Sequence, residues 1–449
     1  MHILIIGNGI AGITAARHIR QRADHQITVI SAESDYFFSR TALMYVYMGH
    51  MHWNDIMPYE PWFWKKNRIH LINDLVNGLD DQRKTVHTAG GKQISYDKLI
   101  LATGSSSNRL EIPGNELDGV ASLYSLQDLQ YIESKSTNLK RVVITGGGLI
   151  GIELAEMFHS RHIPVTFLVR ESSYSNMLLP AEESEMVNRE IREHGIDLRL
   201  HTELTDIKGD EAGRIKSTLT SSGEEIDCQL ACIAVGVHPN VSWLSDSPIE
   251  INKGILVDEF LQTNIADIYA IGDCAELRRP SPGRKAIEPL WYTGRLMGEA
   301  LASTICGTPV KYDGGIWFNS AKFFNTEYQV YGTISPKLPE GQKTIYWQQR
   351  DRKKSIRINY TEQAVIGFNL MGVRFRQEVC EKWIITKTNI EVVLANLELA
   401  LFDQEFSPNY AHAVRDVYRS ITGVTIRSGV NRKHAHVQAF MKNHQKSSI

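Results

Sequence analysis

A short apolar run that ends in a turn built on three glycines occurs twice in this chain, and few folds accommodate it. The first copy is His2-Ile-Leu-Ile-Ile6 followed by Gly7-Asn-Gly-Ile-Ala-Gly12. Such a continuous apolar run suits a strand buried on both faces, as in a parallel sheet. From Ile13 to Arg22 the spacing turns helical, with Ile13, Ala16 and Ile19 on one side and Arg17, Arg20 and Gln21 largely on the other. Gln26-Ile-Thr-Val-Ile30 then resumes a strand. The second copy runs through Arg141-Val-Val-Ile-Thr145, Gly146-Gly-Gly-Leu-Ile-Gly151, a helix from Glu153 to Ser160 and the strand Val165-Thr-Phe-Leu-Val169. Each copy reads as a βαβ unit, which predicts an α/β fold with two Rossmann-like dinucleotide-binding domains.

The glycines have separate duties in such a turn. Gly7 and Gly146 permit the tight bend, Gly9 and Gly148 let the backbone approach a pyrophosphate, and Gly12 and Gly151 let helix and strand pack closely. Ile10 and Ala11, like Leu149 and Ile150, then sit at the helix N-terminus that faces the phosphates. Glu33 follows the second strand about 20 residues beyond Gly12, where a carboxylate accepts hydrogen bonds from adenosine ribose hydroxyls. In the second copy the corresponding position is Val169, followed by Arg170 and Glu171. Arg170 can pair with a 2′-phosphate and favour NADPH, whereas Glu171 can take ribose hydroxyls and favour NADH; the expectation leans to NADPH.

The 449 residues suggest about three domains at roughly 150 residues each. Leu99-Ile-Leu-Ala-Thr-Gly104 reads as a strand end and Ile112-Pro-Gly-Asn115 as a turn, so the first boundary is placed near Pro113. After Ile255, Asp267-Ile-Tyr-Ala-Ile-Gly-Asp-Cys-Ala275 delivers another strand to a Gly-Asp turn, and a helix is expected from Trp291 to Cys306, a return to the first domain. From Ile316 to Phe368 aromatic and β-branched residues alternate with polar ones, notably over Phe323 to Tyr331 and Ile356 to Tyr360, which predicts antiparallel strands. Ile390, Val393, Leu394, Leu397 and Leu401 form a helical apolar stripe, Ser407-Pro408 suits a cap and first helical residue, and the basic tail from Arg432 to Ile449, with His434, His436 and His444, is expected to fray.

Composition narrows the function. A formal net charge of −2 with 42% hydrophobic and 22% charged residues argues against nucleic acid. No apolar run reaches the length of a transmembrane span, and Met1-His2 enters a strand without a signal-like leader. Cys228, Cys232, Cys274, Cys306 and Cys380 are scattered, with no close C-x-x-C pair, so a reduced, cytoplasmic chain without a metal site is expected.

Four motifs in this order, Gly7 to Gly12 with Glu33, Leu101-Ala-Thr-Gly104, Gly146 to Gly151 with Glu153, and Tyr269-Ala-Ile-Gly-Asp-Cys274, cover roughly residues 1 to 330. In them the chain resembles the flavoproteins of the pyridine nucleotide-disulfide oxidoreductase superfamily. The resemblance implies FAD at the first turn, with Ala102, Thr103, Gly104 and Gly272 in its site and Asp273 on its ribityl or pyrophosphate part. It implies NADH or NADPH at the second turn, Glu153 close to the nicotinamide, and Val235-Gly236-Val-His-Pro-Asn240 near the link between domains. It divides the chain into an FAD domain in two parts (1–113 and 256–312), an NAD(P) domain (114–255) and a C-terminal α+β domain (313–449) with a helical end, expected to assemble a homodimer.

Disulfide reductases of this superfamily keep a redox cysteine on the first helical segment after the ribose-binding strand. Here that segment, Tyr36-Phe-Phe-Ser-Arg-Thr-Ala-Leu-Met-Tyr45, holds Ser39, Arg40 and Thr41 in its place, and Cys228 and Cys232 read as core of an apolar strand. Phe38-Ser-Arg40 with Leu43 resembles the cysteine-free branch that includes rubredoxin and ferredoxin reductases and the flavoprotein part of nitrite reductases. Arg40 and Glu153 are the expected catalytic pair, and Trp291, Trp317 and Asn319 the expected contacts that close over the flavin ring. One departure is Tyr45, which stands where the branch carries a lysine that pairs the glutamate equivalent to Glu153. The expected reaction is hydride transfer from the nicotinamide C4 to the flavin N5, with electrons passed on to a redox carrier of rubredoxin or ferredoxin type. The alternatives are oxygen, a quinone or another small molecule as acceptor, or a flavin-binding regulatory protein.

Overall fold

In a computed structural model the described residues are 1–362, 364–403 and 408–429. Contacts divide the chain into two compact units, Met1–Arg170 with His201–Gly314, and Glu171–Leu200 with Gly315–Ile449.

The first unit contains two parallel sheets. In one, the order is Ile268–Ala270, Lys98–Leu101, His2–Ile6, Gln26–Ser31, Ile69–Asn73, all parallel. The apolar run at the N-terminus is the central strand, and Ile3, Leu4 and Ile5 are wholly buried in it, as expected when both faces are covered. The helix Ile10–Arg22 begins earlier than its apolar periodicity because Gly9, in extended conformation, is its N-cap. The helix Trp291–Ile305 lies against it, so closely that a Cβ on Gly298 would sit 2.7 Å from the Ala11 carbonyl oxygen. Both that helix and the strand Ile268–Ala270 thus bring the chain back to the first sheet from a distant part of the sequence. In the other sheet Val165–Val169, Val142–Thr145, Leu230–Ile233 and Val120–Ala121 are adjacent and parallel.

The second unit is built on a five-stranded antiparallel sheet ordered Phe318–Phe323, Thr326–Gly332, Ala364–Met371, Ser355–Thr361, Gln342–Gln348. The alternation over Phe323 to Tyr331 falls in an antiparallel hairpin, where Phe324 takes a left-handed φ of 51° and turns the chain. Strand alternation sends Ile356, Ile358 and Tyr360 into an apolar core shared with Trp383, Val393, Leu394 and Val414. Ser355, Arg357 and Asn359 alternate with them, yet all three are buried too. Helix Ala181–Glu193 packs on that polar side through Glu183 and Met186. The apolar stripe from Ile390 forms the helix Ile390–Ala395 and a 3₁₀ turn Leu397–Ala400. Ser407 and the tail with His434, His436 and His444 lie outside the described residues. Among the described residues no helix is long and apolar enough to cross a membrane, and no acidic, histidine or cysteine cluster has metal-binding geometry.

Candidate functional site

The two glycine turns are built alike. Gly7 has φ +111° and a Cβ there would fall 2.0 Å from the Ala102 carbonyl oxygen; on Gly12 it would fall 2.1 Å from that of Gly7. Gly146 has φ +117° with a Cβ 2.2 Å from the Ala234 carbonyl oxygen, and on Gly151 it would lie 2.2 Å from that of Gly146. The middle glycines differ: a Cβ on Gly9 or Gly148 would meet nothing within 4 Å. Outer glycines are therefore required by the protein's own packing, while the middle ones face open space at helix N-termini that no side chain caps. A helix N-terminus with room beside its middle glycine is what a pyrophosphate needs, so both turns fit a dinucleotide.

Around the first turn, Glu33 and Asp273 are linked through Arg40 and Tyr124. Arg40 donates from Nη1 to Glu33 Oε1 at 2.8 Å and from Nη2 to Glu33 Oε2 at 2.5 Å. Its Nη1 also reaches the Tyr124 carbonyl at 2.5 Å, and its guanidinium lies 4.5 Å from the Tyr124 ring centre. The amide of Leu126 donates to Glu33 Oε1 at 2.9 Å. A carboxylate oxygen accepts more than one hydrogen bond, so Glu33 can still take ribose hydroxyls. Tyr124 continues the chain of contacts: its hydroxyl donates to Asp273 Oδ2 at 3.4 Å, and Ser105 Oγ donates to the same oxygen at 3.1 Å. Burial pushes the Asp273 carboxyl above its ordinary range and the Tyr124 phenol up to about 12. Ser105 and Tyr124 carry no motif, and nothing in the sequence singled them out.

The remaining candidates lie on several elements of the two units. Thr103 Oγ1 donates to the Asn240 carbonyl at 2.8 Å, and Asn240 N to Gly104 O at 2.9 Å. Strand Val237–Pro239 pairs antiparallel with Ser105–Ser107, and Gly236 at φ +95° receives Asn108 N on its carbonyl at 3.0 Å. Ala102 accompanies Gly7 as described, and Gly272, φ +73°, lies against Ala11, leaving 3.0 Å for an added Cβ. Trp291 starts the helix Trp291–Ile305 and meets Tyr292 edge-on at 5.4 Å. Arg170 is exposed just past the strand Val165–Val169, and Glu171 opens the second unit. Trp317 and Asn319 are half-buried in that unit, Trp317 accepting from Gly332 N at 2.7 Å and Asn319 pairing with Val330 across the sheet.

Helix Leu149–Ser160 carries Glu153 and Glu156 one turn apart, and no arginine or lysine pairs Glu153 among the described residues. Arg40 makes its ion pair with Glu33 instead. Tyr45 stacks on His50 at 6.3 Å. The helix Leu43–Tyr47 is pinned through Tyr47, whose ring meets Phe158 edge-on at 5.7 Å and lies 3.7 Å under the Arg161 guanidinium. Glu153 is half-buried by direct solvent contact, but protein surrounds it at longer range. Desolvation first, and the neighbouring Glu156 second, push its carboxyl up to about 7. Because the folded protein favours the neutral form, the linked stability is present below the ordinary carboxylate range and is lost as pH rises through about 7. Glu153→Gln should therefore unfold at a higher temperature than the parent near about pH 8 and at the same temperature near about pH 4. Equal melting temperatures at the higher pH would contradict the raised value.

The cysteines form no disulfide: Cys228, Cys232, Cys274 and Cys380 are buried and Cys306 is half-buried. Burial pushes the Cys228 thiol up to about 12 and raises Cys232 as well. Such thiols are inert.

A family model described as pyridine nucleotide-disulphide oxidoreductase matches residues 1–297. The chain is 32% identical over 311 residues to a rubredoxin-NAD(+) reductase of Ectopseudomonas oleovorans, covering 69% of this chain and 80% of that protein. It is 31% identical over 375 residues to a Bacillus subtilis nitrite reductase [NAD(P)H], covering 82% of this chain and 45% of that longer protein. Among solved structures, the NADH:rubredoxin oxidoreductase of Clostridium acetobutylicum superposes with a TM-score of 0.69 at 25% identity, covering 92% of this chain and 98% of that one. The doubled glycine turn, the carboxylates beside the first copy and these relatives agree: the chain belongs to the pyridine nucleotide-disulphide oxidoreductase family and is an FAD-dependent NAD(P)H oxidoreductase.

Proposed function

We propose that this enzyme passes electrons from NAD(P)H through FAD directly to a redox carrier protein of rubredoxin or ferredoxin type, without a thiol relay. The observation that carries this reading is the segment around Arg40: it holds no cysteine, its helix is fastened by Tyr47 to Phe158 and Arg161, and the remaining thiols lie elsewhere, four of the five of them buried. FAD, when bound, supplies the two-electron chemistry, accepting hydride from the nicotinamide and releasing electrons to the acceptor.

The protein's own residues bind and orient. Gly7, Gly9 and Gly12 with Ile10 and Ala11 present amides to the FAD pyrophosphate, and Glu33, held by Arg40, accepts from the adenosine ribose. Asp273 accepts from the ribityl chain, its orientation fixed by Ser105 and Tyr124. Ala102 to Gly104, Gly236 and Gly272 shape the backbone beside it, while Trp291, Trp317 and Asn319 cover the ring. Gly146, Gly148, Gly151, Leu149 and Ile150 receive the second pyrophosphate, with Glu153 beside the nicotinamide. The boundaries near residues 113, 255 and 312, and a homodimer assembled through the C-terminal domain, belong to the same reading.

Arg170, exposed at the end of its strand, supports NADPH through pairing with the 2′-phosphate. The experiment is anaerobic titration of the FAD-loaded protein with NADH and NADPH, followed by addition of oxidised rubredoxin, oxidised ferredoxin, a quinone or oxygen to the reduced flavin. Flavin bleaching by NADPH at lower concentration, then fast reoxidation by a carrier protein, is expected. Arg170→Ala should raise KM for NADPH about tenfold, the worth of one charge-assisted contact, and leave NADH unchanged. Faster reoxidation by oxygen or quinone than by any carrier would replace the proposed acceptor, and preference for NADH would transfer ribose reading to Glu171.

A further inference from the structure

In the first turn, Gly7-Asn-Gly-Ile-Ala-Gly12, the dinucleotide reading gives each glycine a duty and leaves Asn8 without one. Asn8 is nonetheless buried, only 6% exposed. Its Nδ2 donates to the Ser34 carbonyl at 2.9 Å and to the Ser34 hydroxyl at 3.3 Å. Ser34 is buried as well, and its hydroxyl donates to the Tyr36 carbonyl at 2.8 Å. Glu33 is the residue before it, in the loop that follows the strand Gln26–Ser31. That strand lies parallel to His2–Ile6 with Ile6 opposite Ile30, and Gly7 N donates to the Ile30 carbonyl at 2.8 Å. There the regular ladder stops. Asn8 carries the connection onward, across the opening between the two strand ends, to the loop of Glu33. All of these residues belong to one compact unit.

The backbone segments that Asn8 joins hold different parts of one ligand. The glycine turn offers a helix N-terminus to the pyrophosphate, and Glu33 takes the 2′-hydroxyl of the adenosine ribose. Those two groups are covalently linked, so the ligand itself fixes the distance between their protein contacts. A loop free to shift would satisfy one contact at the expense of the other. The remaining partners of Glu33 do not set that distance. Arg40, the Leu126 amide and Gln127, whose Nε2 donates to the Glu33 carbonyl at 2.9 Å, all come from outside the glycine turn. A buried amide on a short side chain is suited to the task, because it is directional, donates to a carbonyl and places no negative charge beside the diphosphate. We infer that Asn8 is a positioning residue for FAD: acting through Ser34, it sets the span between the pyrophosphate turn and the ribose carboxylate. This rests on the reading of Gly7 to Gly12 and Glu33 as the FAD site, and assigns that site the side chain that holds its two ends in register.

The test uses the full chain stripped of flavin and reloaded with FAD or with the FAD analogue that carries 2′-deoxyadenosine. The parent is compared with Asn8→Ala and Asn8→Ser. The serine side chain stays polar but is too short to reach Ser34, and this variant serves if the alanine one folds poorly. Dissociation constants are measured by calorimetry, and kcat is measured at saturating flavin and NAD(P)H. The parent should bind FAD about tenfold more tightly than the deoxy analogue, the worth of one hydrogen bond to a charged group. Both variants should lose that preference: FAD affinity falls about tenfold, affinity for the analogue stays within about twofold of the parent's, and kcat is unchanged. General loosening of the fold would instead weaken both flavins alike. Where the parent shows the preference, equal losses for the two flavins, or a preference kept in the variants, overturns the inference and leaves Glu33 as the ribose reader. A parent that binds the two flavins equally overturns it together with the reading of Glu33.

Discussion

Gly12→Ala is expected to yield a protein that purifies without flavin and unfolds more readily than the parent. Its new methyl would stand 2.1 Å from the Gly7 carbonyl oxygen, and Gly7 is itself packed so closely that a Cβ on it would fall 2.0 Å from the Ala102 carbonyl oxygen. The obstacles are backbone atoms of the central strand's turn, so the helix Ile10–Arg22 must shift as a body. Overpacking of this kind costs about 1–3 kcal/mol, and more where backbone is the obstacle. Gly9→Ala provides the contrast: nothing lies within 4 Å of its Cβ, so thermal stability without FAD should match the parent while FAD affinity falls. Flavin content by visible absorbance, with thermal unfolding of the flavin-free proteins, separates the two. Normal flavin content in Gly12→Ala would refute the packing argument, and unimpaired FAD binding in Gly9→Ala would remove the pyrophosphate from that turn.

The second large effect lies in the unit that contains the antiparallel sheet. Arg357→Ala should destabilise the C-terminal unit by about 3–5 kcal/mol, because it leaves the Glu183 carboxylate buried with only Asn369 as a donor. Denaturant unfolding followed through the tryptophan signal measures it. The double variant Arg357→Met, Glu183→Met should recover much of the loss, since two apolar side chains of similar volume need no compensation. An exposed pair such as Lys208–Glu225, 44% and 45% exposed, should cost far less when broken, because solvent screens it. If Arg357→Ala costs no more than that, the polar side of the sheet is wetter than its burial indicates.

What could be read from sequence was what is decided locally. The positive φ of Gly7 and Gly146 and the packing of Gly12 and Gly151 against them arise within a single turn, and Glu33 follows from the length of one helix and one strand. The cluster beside the first glycine turn was legible only in part: Arg40 reaches a carbonyl 84 residues on, and Tyr124 an Asp273 that is 149 residues on. No periodicity encodes such meetings. The alternation Ser355, Arg357, Asn359 is a different case, since on its own it reads as the solvent side of a strand. It is buried because a helix from 174 residues earlier covers it. The turn at Phe324 that joins two of the expected antiparallel strands has no sequence signal of its own, since an aromatic residue rarely takes the left-handed conformation.

Helix Ala181–Glu193 has a consequence for how this protein is made. The ribosome releases it long before the strand that holds Arg357, and at about 5–20 residues per second the helix waits on the order of ten seconds or more for its sheet. During that interval Met186, Val187 and Ile191, buried in the finished protein, and the unpaired Glu183 have no home. A chain that stalls or is cut before Ser355 strands this helix permanently, so truncated products of this gene should aggregate or be degraded even though both glycine turns are complete in them.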